Sequence, residues 1–171
     1  WTPDSQEMLV SRTDRRQRTL DVLAVDPRTG QHRTVVSETQ PTWQDNRPTM
    51  HMLDDGERFI WRTDRAGVGQ FELRHLDGRP LAMLTDGTFP VSSIVEVDEA
   101  DGELFFMGGG GDHPANRHLW RVGLDGTGLS RLTPSGATHT IALAPGGAFF
   151  FDAAQSLLSP PTTPLRSRSG D

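Results

Sequence analysis

The side chains available for chemistry in this chain of 171 residues are 23 Asp and Glu, six His and 17 Arg, with no Lys, Tyr or Cys. The lack of Cys excludes a disulfide scaffold, a thiolate metal site and a thiol nucleophile, and leaves the redox compartment open. A serine hydrolase presents its nucleophile on a strained G-x-S-x-G turn, between base and oxyanion donors, and no such pentapeptide occurs. Asp112, His113 and His118 carry ligand-type groups within one Gly-rich stretch, but their spacing is unconstrained and they are expected to lie in solvent. Asp98 to Asp101 lacks calcium-loop spacing and reads as the turn before Gly102. The run Gly108-Gly109-Gly110-Gly111 offers bare amides to an anion. It lacks a following Lys-Ser/Thr and a helix, and Asp112 would repel phosphate, so a mobile loop between two strands is expected. The residues therefore carry no catalytic, metal-binding or cofactor-binding assignment.

The densest positive patch, Arg12, Arg15, Arg16 and Arg18 interleaved with Asp14, reads as a solvated strand edge and its hairpin. Trp1, Trp61 and Trp120 recur at repeat landmarks and read as packing. Trp43 differs, because it follows Glu38 and precedes Asn46-Arg47 in a loop joining two repeats, where function concentrates. A formal net charge of −6 argues against nucleic acid as a partner, since such binding neutralises phosphates with positive charge. No apolar run approaches 18 residues, so no membrane segment is expected. The start at Trp1-Thr2-Pro3-Asp4 is neither an initiator Met nor a signal peptide, and the chain is expected to be cut at both ends. Hydrophobic residues at 34%, together with 18 Gly, place the composition in the folded range, with room for one domain or part of one.

The elements that must position these residues come from a repeat. Val36-Ser37, Leu84-Thr85 and Leu132-Thr133 are 48 residues apart, and Asp77-Gly78 returns 48 later as Asp125-Gly126. The pairs Asp4-Ser5, Asp55-Gly56, Asp101-Gly102 and Gly146-Gly147 step by 51, 46 and 45. The second copy reads as four strands, Thr49 to Leu53, Arg58 to Arg62, Phe71 to Leu76 and Pro80 to Leu84, joined by turns such as Asp-Gly, expected to be of type I′. The third copy repeats them at Ile94 to Val97, Glu103 to Met107, His118 to Leu124 and Leu129 to Leu132, with Trp120, Val122 and Leu124 on one face. The first copy lacks its opening strand, and the last supplies Thr140 to Ala144, Ala148 to Asp152 and, past a Pro-rich stretch, Leu165 to Ser169. Four-stranded units of this length mark a β-propeller blade. The expectation is an all-β fold, an incomplete β-propeller arc of about three and a half four-stranded antiparallel blades. Residues 1–171 form part of a single domain, with blade boundaries near 1–40, 41–88, 89–136 and 137–171.

The order of motifs adds a resemblance. WTPDSQEMLVSRTDRRQRTLDVLAVDPRTG at Trp1 to Gly30, then Glu38 and Trp43, FIWRTDRAG at Phe59 to Gly67, LDG and LTDG within Leu76 to Gly87, and NRHLWRVGLDGTGLSRLT at Asn116 to Thr133 with His139 after it together resemble the N-terminal propeller of the dipeptidyl peptidase IV family. That family is a branch of the prolyl oligopeptidase class of serine peptidases. The resemblance implies an eight-bladed propeller that caps an α/β-hydrolase domain, gates peptide access and binds the substrate's amino terminus through a Glu-Glu pair. No adjacent Glu pair occurs in this chain, and no Ser nucleophile or Asp and His partner can be matched. Arg47 matches a family Arg near the substrate pocket, and Asn46 stands where family members carry an aromatic. The implied role is a non-catalytic segment of a serine exopeptidase, with Asn46 and Arg47 as substrate-side candidates. The implied partners are the missing blades, the hydrolase domain and a peptide substrate. The alternative is a stand-alone scaffold propeller for protein–protein contacts, although no Trp-Asp dipeptide ends a blade. An incomplete ring should also self-associate through apolar ends, Met8, Leu9, Leu20 and Leu23 at one and Phe149, Phe150, Phe151, Leu157 and Leu158 at the other.

Overall fold

The computed structural model describes residues 1–46, 49–144 and 147–171. Arg47 and Gly146, both singled out above, lie outside the described residues. Two compact units divide the chain, Trp1–Met83 and Leu84–Asp171. The first holds β1 (Met8–Thr13), β2 (Thr19–Val25) and β3 (His32–Thr39) in one sheet, then β4 (Met50–Met52), β5 (Arg58–Thr63), β6 (Gln70–His75) and β7 (Pro80–Met83) in another. The second holds β8 (Val91–Asp98), β9 (Glu103–Gly108), β10 (His118–Gly123) and β11 (Ser130–Arg131), then β12 (Thr138–Leu143), β13 (Phe149–Gln155) and β14 (Leu165–Ser167). Within each sheet, every strand pairs antiparallel with its neighbour in sequence. The fold is thus all-β, an incomplete β-propeller of four sheets with three or four strands each, as the repeat requires.

The turns differ from expectation in kind. A type I′ hairpin needs positive φ at both central residues, yet at Asp77-Gly78 and Asp125-Gly126 only the glycines have it, with φ of 99° and 83°. Gly78 N–H donates to His75 O at 2.8 Å and His75 N–H to Arg79 O at 2.9 Å, and Gly126, Gly123 and Thr127 repeat the pattern. These are three-residue loops, a type I turn closed by a glycine in the left-handed region. Asp selects them because its carboxylate accepts the N–H two residues on, Arg79 at 2.9 Å for Asp77 and Thr127 at 2.9 Å for Asp125.

Period-two burial builds the first core. Leu20, Val22 and Ala24 of β2 lie on the face that packs with Phe59 and Trp61 of β5. A bulge opposite Val22 and Leu23 leaves Val35 as an extra residue, which lets both Val35 and Val36 join that core. In the second unit Phe105, Leu119, Leu132 and Phe150 form the core. Leu20, Leu23 and Phe150, expected among uncovered residues, are buried, because the sheets cover them within their own units. Met8, Phe149, Phe151, Leu157 and Leu158 are exposed.

The glycine run also departs from a mobile loop. Gly108 belongs to β9, and it and Gly109 are buried. A Cβ on Gly108 would lie 2.9 Å from the ring of Phe89, which stacks on Trp120 with centroids 4.1 Å apart. Glycine is present there because the aromatic pair occupies the space.

Candidate functional site

The loop after β3 carries the candidates of the sequence, and the β1–β2 turn holds it. Asp14 organises that turn, accepting N–H bonds from Arg18 at 2.7 Å, Thr19 at 2.9 Å and Arg16 at 3.2 Å. Those backbone donors, Thr19 and Arg18 foremost, hold its carboxyl below the ordinary range. Gln17 takes a left-handed backbone, φ 52°. Its carbonyl accepts from Gln44 N–H at 2.6 Å, and its side-chain Oε1 accepts from the Trp43 indole N–H at 2.6 Å. Gln40 N–H donates to Arg18 O at 2.8 Å, and Gln40 Nε2 to Asp64 O at 2.7 Å. The loop is therefore clasped on both sides, and Trp43, 57% exposed, stands out from it. Arg12 is bound to Asp21 at 2.7 Å, whereas Arg15, Arg16 and Arg18 flank the clasp, Arg15 and Arg16 exposed. Asn46 is exposed at the end of the loop, and Arg47 lies outside the described residues.

In the same unit runs a charged network that the sequence did not reveal. Glu38, buried near the end of β3, accepts from the Trp61 indole N–H at 2.8 Å and lies 3.7 Å from Arg65 Nε. Arg65 also pairs with buried Glu72, whose second oxygen takes Arg74 Nη1 at 2.7 Å. Among the described residues Glu38 Oε2 and Gln44 Oε1 are buried acceptors without a hydrogen-bond donor. The loop offers an exposed indole for apolar contact, and the neighbouring turn offers exposed guanidinium groups to a ligand's carbonyls or carboxylates.

In the second unit the structure corrects the reading of the Gly-rich stretch. His113 is exposed as expected, but His118 is fully buried at the start of β10. Its Nε2 lies 2.9 Å from Asp112 Oδ1, and its Nδ1 lies 3.1 Å from Thr133 Oγ1. Asp112 also accepts from Gly136 N–H at 2.6 Å and Asn116 Nδ2 at 3.0 Å. The Gly136 N–H, followed by His118, holds its carboxyl far below the ordinary range. The ring of His139 lies 5.1 Å from that of His118, with Nδ1 2.6 Å from Asp152 Oδ1 and Nε2 3.0 Å from the Pro134 carbonyl. A carbonyl can only accept, so the bond to Pro134 requires His139 Nε2 to be the donor. Arg166 Nε completes the cluster at 2.8 Å from Asp152 Oδ2. The signal for His118 was period two, since it shares parity with Trp120 and Val122. Among the described residues no group of three or more His, Asp or Glu could hold a metal, and no helix is long and apolar enough to cross a membrane.

Comparison with known proteins places these sheets. The sequence model of the dipeptidyl peptidase IV N-terminal region matches residues 1–161. The chain belongs to that family. Two solved structures share the fold: dipeptidyl peptidase 4 of Porphyromonas gingivalis, at 17% identity and a TM-score of 0.78, and a putative dipeptidyl aminopeptidase IV of Bacteroides ovatus, at 17% and 0.83. They are matched over 96% and 99% of this chain, which spans 23% and 27% of theirs. Within this stretch of the dipeptidyl peptidase IV N-terminal region, the clasped loop at 40–46 and the buried histidine pair are two places where polar side chains are organised beyond the needs of a strand ladder.

Proposed function

We propose that this chain is the non-catalytic propeller segment of a dipeptidyl peptidase IV-like serine exopeptidase, gating peptide access and contributing substrate-side contacts through Asn46 and Arg47. The observation that carries the reading is the loop at 40–46. Its backbone is fixed by Gln17 and Arg18 and its Gln40 side chain by Asp64, which a rigid contact surface needs and a mere linker does not. On this reading residues 1–171 are consecutive blades of one propeller domain. Their partners are further blades and an α/β-hydrolase domain of the same protein, with a peptide as substrate. Hydrolysis belongs to the hydrolase domain, so the chain alone should leave X-Pro and X-Ala chromogenic dipeptides uncleaved and take no label from a fluorophosphonate. Label on this chain would sink the assignment. In the full-length protein, Arg47→Ala should raise KM about tenfold, the loss of a charged hydrogen bond, with a smaller fall in kcat, because a remote contact contributes uniform binding. Unchanged kinetics would remove Arg47 from the site, and a full-length protein without peptidase activity would favour a scaffold.

A further inference from the structure

The second unit contains an open groove of about 530 Å³ between β8 and β12, within the size range of small-ligand sites. Both strands are sheet edges. Ser92, Ser93, Ile94 and Val95 of β8 form one wall, and Thr140, Ile141 and Leu143 of β12 the other. Four consecutive side chains cannot line one groove from a regular strand, where neighbours point to opposite faces. Two bulges permit it here. The register of β8 on β9 shifts between Val91 and Ser93 and again between Ile94 and Glu96, leaving Ser92 and Val95 as extra residues. Paired irregularities of this kind re-aim side chains and recur beside binding sites.

The charge in the groove is the second observation. Between residues 84 and 171 there are ten Asp and Glu against five Arg. Arg121, Arg166 and Arg168 are each paired with carboxylates. Arg131 donates to Ser135 Oγ. Arg117, which lines the groove, has no carboxylate partner among the described residues despite the twofold excess of acid. Among the described residues its Nη1 reaches the Pro114 and Asn116 carbonyls, each at 3.4 Å. The groove thus combines one guanidinium with an unfilled preference for an anion, the exposed hydroxyl-bearing residues Ser93 and Thr140, and an apolar floor.

We propose that this groove binds a short peptide by its free C-terminal carboxylate, held by Arg117, with the terminal apolar side chain between β8 and β12. A C-terminal residue places carboxylate and apolar side chain on one Cα, which matches a groove lined by both Arg117 and the Ile141 and Leu143 wall. The inference rests on the peptide-handling reading above for its ligand class. The test is titration of the isotope-labelled chain with N-acetyl-Ala-Leu, followed at the amides of Ser93, Thr140 and Ile141. The free acid should shift those amides and bind about tenfold or more tightly than its C-terminal amide, the loss of a charge-assisted bond. Arg117→Gln should bring the acid down to the affinity of the amide, whereas Arg131→Gln should leave the difference intact. Equal affinity for acid and amide, shifts confined elsewhere, or equal loss in Arg131→Gln would overturn the site. N-acetyl-Glu-Leu amide binding as tightly as the free acid would overturn the commitment to the C-terminus. Catalysis is not read, so an inactive full-length protein would end the peptidase reading without touching this result.

Discussion

Asp152 stands between the His139 ring at one oxygen and the Arg166 guanidinium at the other, with its carboxylate and the His139 ring fully buried. Replacing it with Asn leaves the guanidinium without its counter-charge and the buried ring without its carboxylate partner, and losing one partner of a buried pair costs about 3–5 kcal/mol. Urea unfolding of Asp152→Asn should show a loss of that size, and a change within about 0.5 kcal/mol would mean the cluster is not a structural tie. Asp112 makes a different prediction, in pH. Its folded carboxyl is depressed by the Gly136 N–H and by His118. A depressed acid stabilises fully above its unfolded value, near 3.9, and loses that contribution as pH falls toward the folded value. Asp14 is lowered by Thr19 and Arg18 N–H and acts in the same window. Stability should therefore drop below about pH 4. Asp112→Asn should be less stable at neutral pH, have a shallower acid slope and approach the parent at low pH; equal slopes would contradict this. Neither tie was legible in the sequence beyond parity. The partners Thr133, Gly136 and Asp152 reach their side chains through strand pairing and loop return, which no local spacing encodes.

Strands and turns were legible because each is a local matter. An apolar alternation bounded by Asp-Gly specifies a hairpin whichever turn class closes it, so β5, β6 and β10 fall within a residue or two of expectation. The class of the turn was not legible, because the sequence does not state whether Asp or only Gly takes positive φ. Bulges were equally silent, and they decide that Val35 joins Val36 in the core and that four residues of β8 line one groove. Two turn glycines separate backbone strain from close approach. Gly67 has φ 85° and nothing within 4 Å of where a Cβ would stand, whereas Gly78 has φ 99° and would set a Cβ 2.7 Å from the Val35 carbonyl oxygen. Gly67→Ala should cost about 1–2 kcal/mol, the left-handed penalty alone. Gly78→Ala should cost clearly more, because the β6–β7 turn must move off β3. Equal losses in thermal and urea unfolding would show that the turn yields freely.

For the molecule as a whole, its sheet edges and its last face decide what it does alone. The first and last sheets have three strands where the middle two have four, and β1 is an edge at the position that β5 covers with β4. On the last sheet Phe149 and Phe151 alternate onto one face, 50% and 51% exposed, and Leu165, paired opposite Phe151, is 56% exposed. In a protein about four times as long, as the compared structures are, a following blade is the proposed cover for that face. In the isolated chain the available cover is a second copy, by face packing or by strand addition at the β1 edge. Light scattering over a concentration series should give a mass that rises with concentration. Phe149→Thr with Phe151→Thr should abolish the rise at little cost in stability, since Thr suits a strand and the side chains removed are half in water. Phe150 supplies the control. It lies between them in sequence but faces the core, so Phe150→Thr should lower stability by about 3–5 kcal/mol, the scale of a core truncation, and should not be the variant that cures association. A monomeric parent at every concentration, or association indifferent to Phe149 and Phe151, would remove that face as the contact.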